Sequence, residues 1–359
     1  MTREKFLRFM YSAFLLSLIL IINQGCGGSG YLNRKNHQFS QKPQNIIFAQ
    51  IEGLGVTHMG ALRFGIKNDQ DLDYLSPFSC SGVVWPQNLY TMRPSAFDSM
   101  NAQIIGSKGL QGSCEDFDST PFWQRFLVKN RQVVILEIDS DSKNTLEGLE
   151  SCNNKDFLRG VTLLKMSSKN FAQKKTVLSF NYKNKTFPKE GVYYDLSCGE
   201  KQGQMKCRSS VVQNIRYVLE NVFNKNKNVI FIIRDFRYKK LIKRKEYARA
   251  FKHLHSVITS ISANQFSGQT PKNLLTLATG VNSTEIEFPN SKRGWVRLIK
   301  ENKSNVFRYS GLQSLALAKG ASAENFCGSF FDSEIVERIF FHYERDRSIS
   351  EMFQGLIEW

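Results

Sequence analysis

Glu52 is the first side chain in this sequence placed to do chemistry. It follows a run of mostly aliphatic and aromatic residues at 45–51 and leads into Gly53-Leu54-Gly55. A short apolar run closed by glycines suits a buried parallel strand, and open α/β sheets bind ligands at the carboxyl ends of such strands. Asp139 ends a second apolar run. Arg234 ends a third, with Lys239 and Lys243 on the segment that follows. Ser95 comes after Pro94 and ahead of Ala96-Phe97, the place of an ordinary helix N-cap. Carboxylates gathered at such strand ends could hold a metal ion. Cations in the same place would hold an anion or neutralise Glu52, because protonated Lys and Arg have no lone pair for a metal.

The elements that must carry these groups follow from pattern. Runs at 45–51, 133–139 and 229–233 read as buried strands. Ser209-Ser210 caps a helix whose Val212, Ile215, Val218, Leu219 and Val222 keep helical spacing. Asp139-Ser140-Asp141-Ser142 also has the composition of a plain turn. Residues 144–208, polar and rich in lysine, read as a variable peripheral insert. His253 and His255 stand two apart on an expected helix and so do not share a face. His37, His58 and His342 lie elsewhere, and no Cys or His spacing matches a zinc site.

Residues 44 to about 110 and 209 to about 340, including the helix-loop-strand up to Ile233 and the strand-like run 273–283, together resemble the alkaline phosphatase superfamily. Glu52-Gly53-Leu54-Gly55 is similar to the family's first strand and its Asp-Gly-Met-Gly turn. Thr91 to Gly109 resembles the nucleophile helix, with Gly106 and Lys108 in register. Ser95 falls on the nucleophile if one extra residue is allowed before Gly106; otherwise Ala96 does. Ala318-Lys319-Gly320-Ala321-Ser322-Ala323-Glu324-Asn325-Phe326, eight residues after Tyr309-Ser310-Gly311, resembles the family's C-terminal scaffold block in order and spacing. The resemblance implies a three-layer αβα sandwich with a mostly parallel central sheet, an alkaline-phosphatase-like α/β fold. It also implies that the metal ligands have been replaced. Arg234 falls on a glutamate, Lys239 and Gly280 on aspartates, and Lys243, Val281 and Tyr309 on histidines. Glu52 alone keeps a ligand's chemistry.

The chain of 359 residues carries a net charge of +17 and is 41% hydrophobic, enough for a full core and a field that favours anionic partners. Between Arg234 and Lys252 stand nine basic and two acidic residues, net +7. Arg3, Lys5 and Arg8 precede a short apolar run, the pattern of a secretory signal, and Cys26 follows at once as a lipidation site. The expected organisation is a lipoprotein-type signal at 1–25, a tether at 26–43, one domain at 44–345 that contains the insert, and a tail at 346–359. The expected location is the bacterial envelope, with the chain anchored to the outer membrane and facing the periplasm. Six further cysteines can form three disulfides there. Cys198 and Cys207, flanking a Gly/Gln/Lys turn, form the natural local pair.

The expected function is binding of an anionic small molecule or envelope partner by a pseudoenzyme without cofactor, through Glu52, Arg234, Lys239, Lys243 and Tyr309. One alternative is an active phosphoesterase with Ser95 as nucleophile, assisted by Glu52 and Asp139, on a non-standard zinc or magnesium site. A second is a basic binder of polyanions or membrane surface. Nucleic acid is not among the expected partners.

Overall fold

The computed structural model describes residues 37–38, 42–64, 75, 77–89, 91–108, 120–125, 131–141, 145–147, 157–167, 178–184, 186–201, 204–223, 228–262, 273–286, 289, 291–301, 307–308 and 312–341. The expected signal, Cys26, Cys114, Cys152, Tyr309 and the tail lie outside them.

The strands, in chain order, are β1 (His37–Gln38), β2 (Asn45–Glu52), β3 (Cys80–Trp85), β4 (Gln132–Ile138), β5 (Val161–Met166), β6 (Leu178–Phe180), β7 (Gly191–Asp195), β8 (Cys198–Lys201) and β9 (Gln204–Cys207). They continue with β10 (Val229–Asp235), β11 (Leu274–Val281), β12 (Glu285–Ile286), β13 (Phe307–Arg308), β14 (Ser314–Ala321) and β15 (Gly328–Phe331). The helices are α1 (Met59–Phe64), α2 (Ala96–Ile105), α3 (Phe122–Arg125), α4 (Val211–Val218), α5 (Arg237–Lys243), α6 (Tyr247–Ser262), α7 (Lys292–Glu301) and α8 (Ile335–Phe340). None of these helices is long and apolar enough to cross a membrane.

The main sheet runs β15-β3-β14-β11-β2-β10-β4-β5-β7-β6, with β1 beside β14. Only the pairings of β14 with β11 and β3 are antiparallel. β2 lies at the centre, parallel to β10 and β11. Strands buried on both faces read as continuous apolar runs, which is why these segments stand out in the sequence. Successive side chains alternate between faces. Ile47, Ala49 and Ile51 pack into one apolar layer with α1, α4, α5, α6 and α7. Ile46 and Phe48 pack into the other with α2, α3 and α8. The fold is therefore the expected three-layer αβα sandwich with a mostly parallel sheet.

The stretch 144–208 differs from expectation. It supplies β5, β7 and β6, which extend the main sheet beyond β4, so part of it belongs to the central layer. Its polarity is misleading because the one cation of β5, Lys165, is 2% exposed and pairs with Glu147 at 2.7 Å. Cys198 and Cys207 are joined across the β8–β9 hairpin, as their spacing predicts, and Cys80 is joined to Cys327.

Candidate functional site

The carboxyl ends of β2, β10 and β11 bring the sequence-derived residues toward one edge of the sheet. In register, Ile51 lies between Asp235 and Gly280, and Glu52 is level with Val281. After β10 the chain turns at Phe236 directly into α5, which carries Lys239 over the end of β2. Lys239 Nζ stands 3.5 Å from Glu52 Oε1, with the side chains 5% and 13% exposed, and donates to the Asn282 carbonyl at 2.9 Å. Gly53, at φ +93°, makes this approach possible. A Cβ there would lie 3.0 Å from the Lys239 Cβ, and the left-handed backbone suits glycine.

Burial raises the Glu52 carboxyl above its ordinary value, against the opposing pull of Lys239, Lys243 and Lys240. Burial likewise lowers the Lys239 ammonium, with Glu52 opposing and Lys243 adding to the effect. Both groups are thus held against their own desolvation by each other. Lys243 is exposed at the end of α5 and contributes through its field alone.

Arg234 does not join this pair. It lies one strand over, fully buried, with Nη1 3.1 Å from Glu137 Oε1 on β4. Its guanidinium carbon stands 5.7 Å from the ring centroids of both Phe97 and Phe236. Burial lowers its pKa to about 10 while Glu137 opposes the shift. Glu137 also accepts from Thr145 Oγ1 at 2.7 Å and from the Leu146 N–H at 2.8 Å. Sequence reasoning missed Glu137, because a cross-strand partner is fixed by register and not by any local pattern.

Ser95 is the N-cap of α2. Its hydroxyl donates to Asp98 Oδ2 at 2.8 Å and accepts from the Asp98 N–H at 3.1 Å. That reciprocal box engages the oxygen in capping. Asp139, in a left-handed turn at φ 59° after β4, faces Lys240 at 3.4 Å and Arg237 at 3.9 Å.

The two metals that the resemblance implies do not fit this arrangement. The ligand position at Gly280 has no room for a side chain, since a Cβ there would lie 1.8 Å from the Leu54 carbonyl oxygen. Val281, Phe236, Met100 and Ala96 form a small buried apolar cluster between α2 and the ends of β10 and β11. Such groups offer no lone pairs to a cation. Among the described residues, no group of three His, Cys, Asp or Glu side chains could hold a metal ion.

His253, expected to share no face with His255, has a specific partner. Its Nε2 lies 2.7 Å from Oδ2 of Asp235, a carboxylate with no exposure, and the other Asp235 oxygen accepts from the Arg237 N–H at 2.9 Å. The Asp at the end of β10, followed eighteen residues later by a helical His, was the available signal.

No family profile matches this sequence, and no curated protein matches it. Solved structures do. The alkaline phosphatase of the Antarctic bacterium TAB5 is similar over 83% of this chain and 98% of its own, with 12% identity and a TM-score of 0.61. A cold-active alkaline phosphatase from the psychrophile Shewanella sp. is similar over 82% and 98%, with 12% identity and a TM-score of 0.61. The alkaline phosphatase of Thermus thermophilus is similar over 93% and 99%, with 11% identity and a TM-score of 0.54. At such identities the likeness is one of fold.

Proposed function

We propose that this alkaline-phosphatase-like fold serves as a binding protein of the bacterial envelope and not as a hydrolase. The observation that carries the reading is the Glu52–Lys239 pair beside the apolar cluster of Ala96, Met100, Phe236 and Val281. Two-metal phosphoryl transfer needs several carboxylates and imidazoles around an activated nucleophile. In this chain the carboxylate that ends β2 is paired with lysine, the Ser95 hydroxyl caps a helix, and an apolar cluster lies beside the pair. Charge has been removed from the old reaction centre, whereas basic residues have accumulated on α5 and α6. Binding of an anionic ligand is the use that this redistribution favours. Location at the envelope is part of this proposal, supported by the basic and apolar N-terminal run and by Cys26, which would tether the domain by lipid.

The test is an assay of p-nitrophenyl phosphate hydrolysis with added zinc and magnesium, alongside the zinc content of the purified protein. The expected result is no turnover above background and far less than one zinc per chain. Turnover abolished by Ser95→Ala, or stoichiometric zinc, would overturn the reading and favour the phosphoesterase.

A further inference from the structure

A cleft of about 600 Å³ opens in the layer of α4, α5 and α6, on the opposite face of the sheet from the Ser95 helix. Its volume falls in the range of small-molecule sites. Six basic side chains line it: Arg208, Arg237, Lys240, Arg244, Arg249 and Lys252. The one acidic residue in the lining is Asp139, already facing Lys240 and Arg237. Arg249 pairs with Glu246, the residue just ahead of α6. Arg208, Arg244 and Lys252 are exposed and have no carboxylate partner among the described residues.

Three further features mark a built site. The first turn of α4 lines the cleft through Ser210, Val211 and Val212, and the N–H groups of a first helical turn lack intrahelical acceptors and favour an anion. His253 also lines the cleft, its Nε2 held 2.7 Å from the buried Asp235 carboxylate. Ser209 is anchored there too, its hydroxyl bonded to the buried Asp195 and its N–H donating to Ser197 Oγ at 3.0 Å.

We propose that this cleft binds a small molecule bearing at least two phosphate groups. Four of the six cations are arginines, whose planar forks match the oxygens of phosphate in paired hydrogen bonds. The volume exceeds the needs of a single phosphate, and the spread of charge over two helices and the β9–α4 junction suits separated phosphates. Val211, Val212 and Leu241 give an organic portion an apolar wall. The inference rests on the binding reading above and gives it a location.

Inorganic pyrophosphate titrated calorimetrically into the full chain at fixed ionic strength tests it, with phosphate release followed in the same samples. Wild type should bind, and Arg244→Glu with Lys252→Glu should weaken binding by about tenfold or more, near 1.4 kcal/mol. Arg293→Glu with Lys300→Glu makes the same charge change on exposed residues of α7 outside the cleft and should alter binding less than threefold. Arg244→Gln with Lys252→Gln should give an intermediate loss and guards against misfolding of the charge-reversed protein. Equal losses in the α7 and cleft pairs would overturn the site in favour of diffuse attraction, and absence of binding by wild type would overturn it outright. Phosphate release with cleft-dependent binding would instead leave the site standing and sink the non-hydrolytic reading. Sedimentation with phosphatidylcholine vesicles, with and without cardiolipin, whose headgroup carries two phosphates, separates the sources. Cleft-dependent pelleting supports a lipid headgroup; pelleting indifferent to the cleft, with pyrophosphate still bound there, supports a soluble ligand.

Discussion

Glu52 and Lys239 illustrate how two expensive groups become tolerable together. Each resists burial, and each is kept in place by the other. Removing one should therefore cost more than the pair is worth. Glu52→Gln and Lys239→Met alone are each expected to destabilise by about 3 kcal/mol, and both together by less than the sum of the two. Urea unfolding of the four proteins measures the coupling; strict additivity would mean that the two do not interact. Two other buried groups should reveal themselves through pH. Burial raises the Asp332 carboxyl from 3.8 to about 7, against hydrogen bonds from Ser99 and the Gln87 and Ser333 backbone. The folded state then holds a proton that the unfolded chain has lost, so stability is lost as pH rises from about 4 through 7. Burial lowers His58 from 6.5 to about 3, with Nδ1 2.9 Å from the Tyr238 hydroxyl. Its contribution is full above 6.5 and is lost as pH falls toward 3. The two oppose each other between about pH 4 and 6.5, each by several kcal/mol at most. Melting temperature should be nearly flat there in wild type, rise with pH in Asp332→Asn, and fall with pH in His58→Gln. Parallel profiles in all three would refute the assignment. The Glu52 turn was legible because its strand and glycines are local signals. The partners of Arg234 and His253 were not, since each depends on which distant segment the topology sets alongside.

At the scale of elements, the sheet carries a buried polar row across its strands. Thr279, Gln50, Arg234, Glu137, Lys165 and Tyr194 are successive register partners from β11 to β7, and all are at most 2% exposed. Gln103 of α2 ties two of them, accepting from Thr279 at 2.8 Å and from Gln50 at 3.1 Å. A one-residue slip of any strand would turn its member of this row to the other face, so the row helps fix register as well as seating α2. The Ser95 cap acts on the same helix. Ser95→Ala should cost about 1 kcal/mol, seen as a lower melting temperature with no change in catalytic background. A larger loss would show that the hydroxyl does more than cap. The disulfides differ by the length of chain they close. Cys80 and Cys327 are 247 residues apart, whereas Cys198 and Cys207 are nine apart. Closing the longer loop restricts the unfolded chain more, so Cys80→Ser with Cys327→Ser should cost roughly 4 kcal/mol against roughly 2 for the hairpin pair. Chemical unfolding of the two double variants measures the difference. The hairpin pair was legible from spacing. The long-range pair was not, because it reports that β3 and β15 are neighbours, which only the parallel edge of the sheet explains.

The whole molecule combines a fold that its apolar runs disclose with a charge distribution that they do not. The central strands and the Ser210 cap were readable because local propensity and the architecture agree there, and the C-terminal scaffold through its resemblance in order and spacing. β5 was hidden by the lysine-rich segments around it, and the cleft by the fact that α4 and α5 meet only after folding. The basic count at 234–252 was visible in the sequence, but not that α5 divides its cations between Glu52 and the cleft. That division has a consequence for stability. A net charge of +17 destabilises the compact state by self-repulsion, and much of it is crowded onto α5 and α6. The ion pairs that matter most, Arg234–Glu137 and Lys239–Glu52, are buried and hence little screened by salt. Added sodium chloride should therefore relieve repulsion more than it weakens attraction. Raising ionic strength from about 0.01 M to 0.15 M shortens the screening length from about 30 Å to 8 Å, and the melting temperature should rise by a few degrees. Arg244→Glu with Lys252→Glu removes repulsion at its densest point, so that variant should begin higher and gain less. A melting temperature that falls with salt in wild type would mean that exposed ion pairs outweigh the crowding on α5 and α6, and the picture of a molecule with its cations gathered for a ligand would fail.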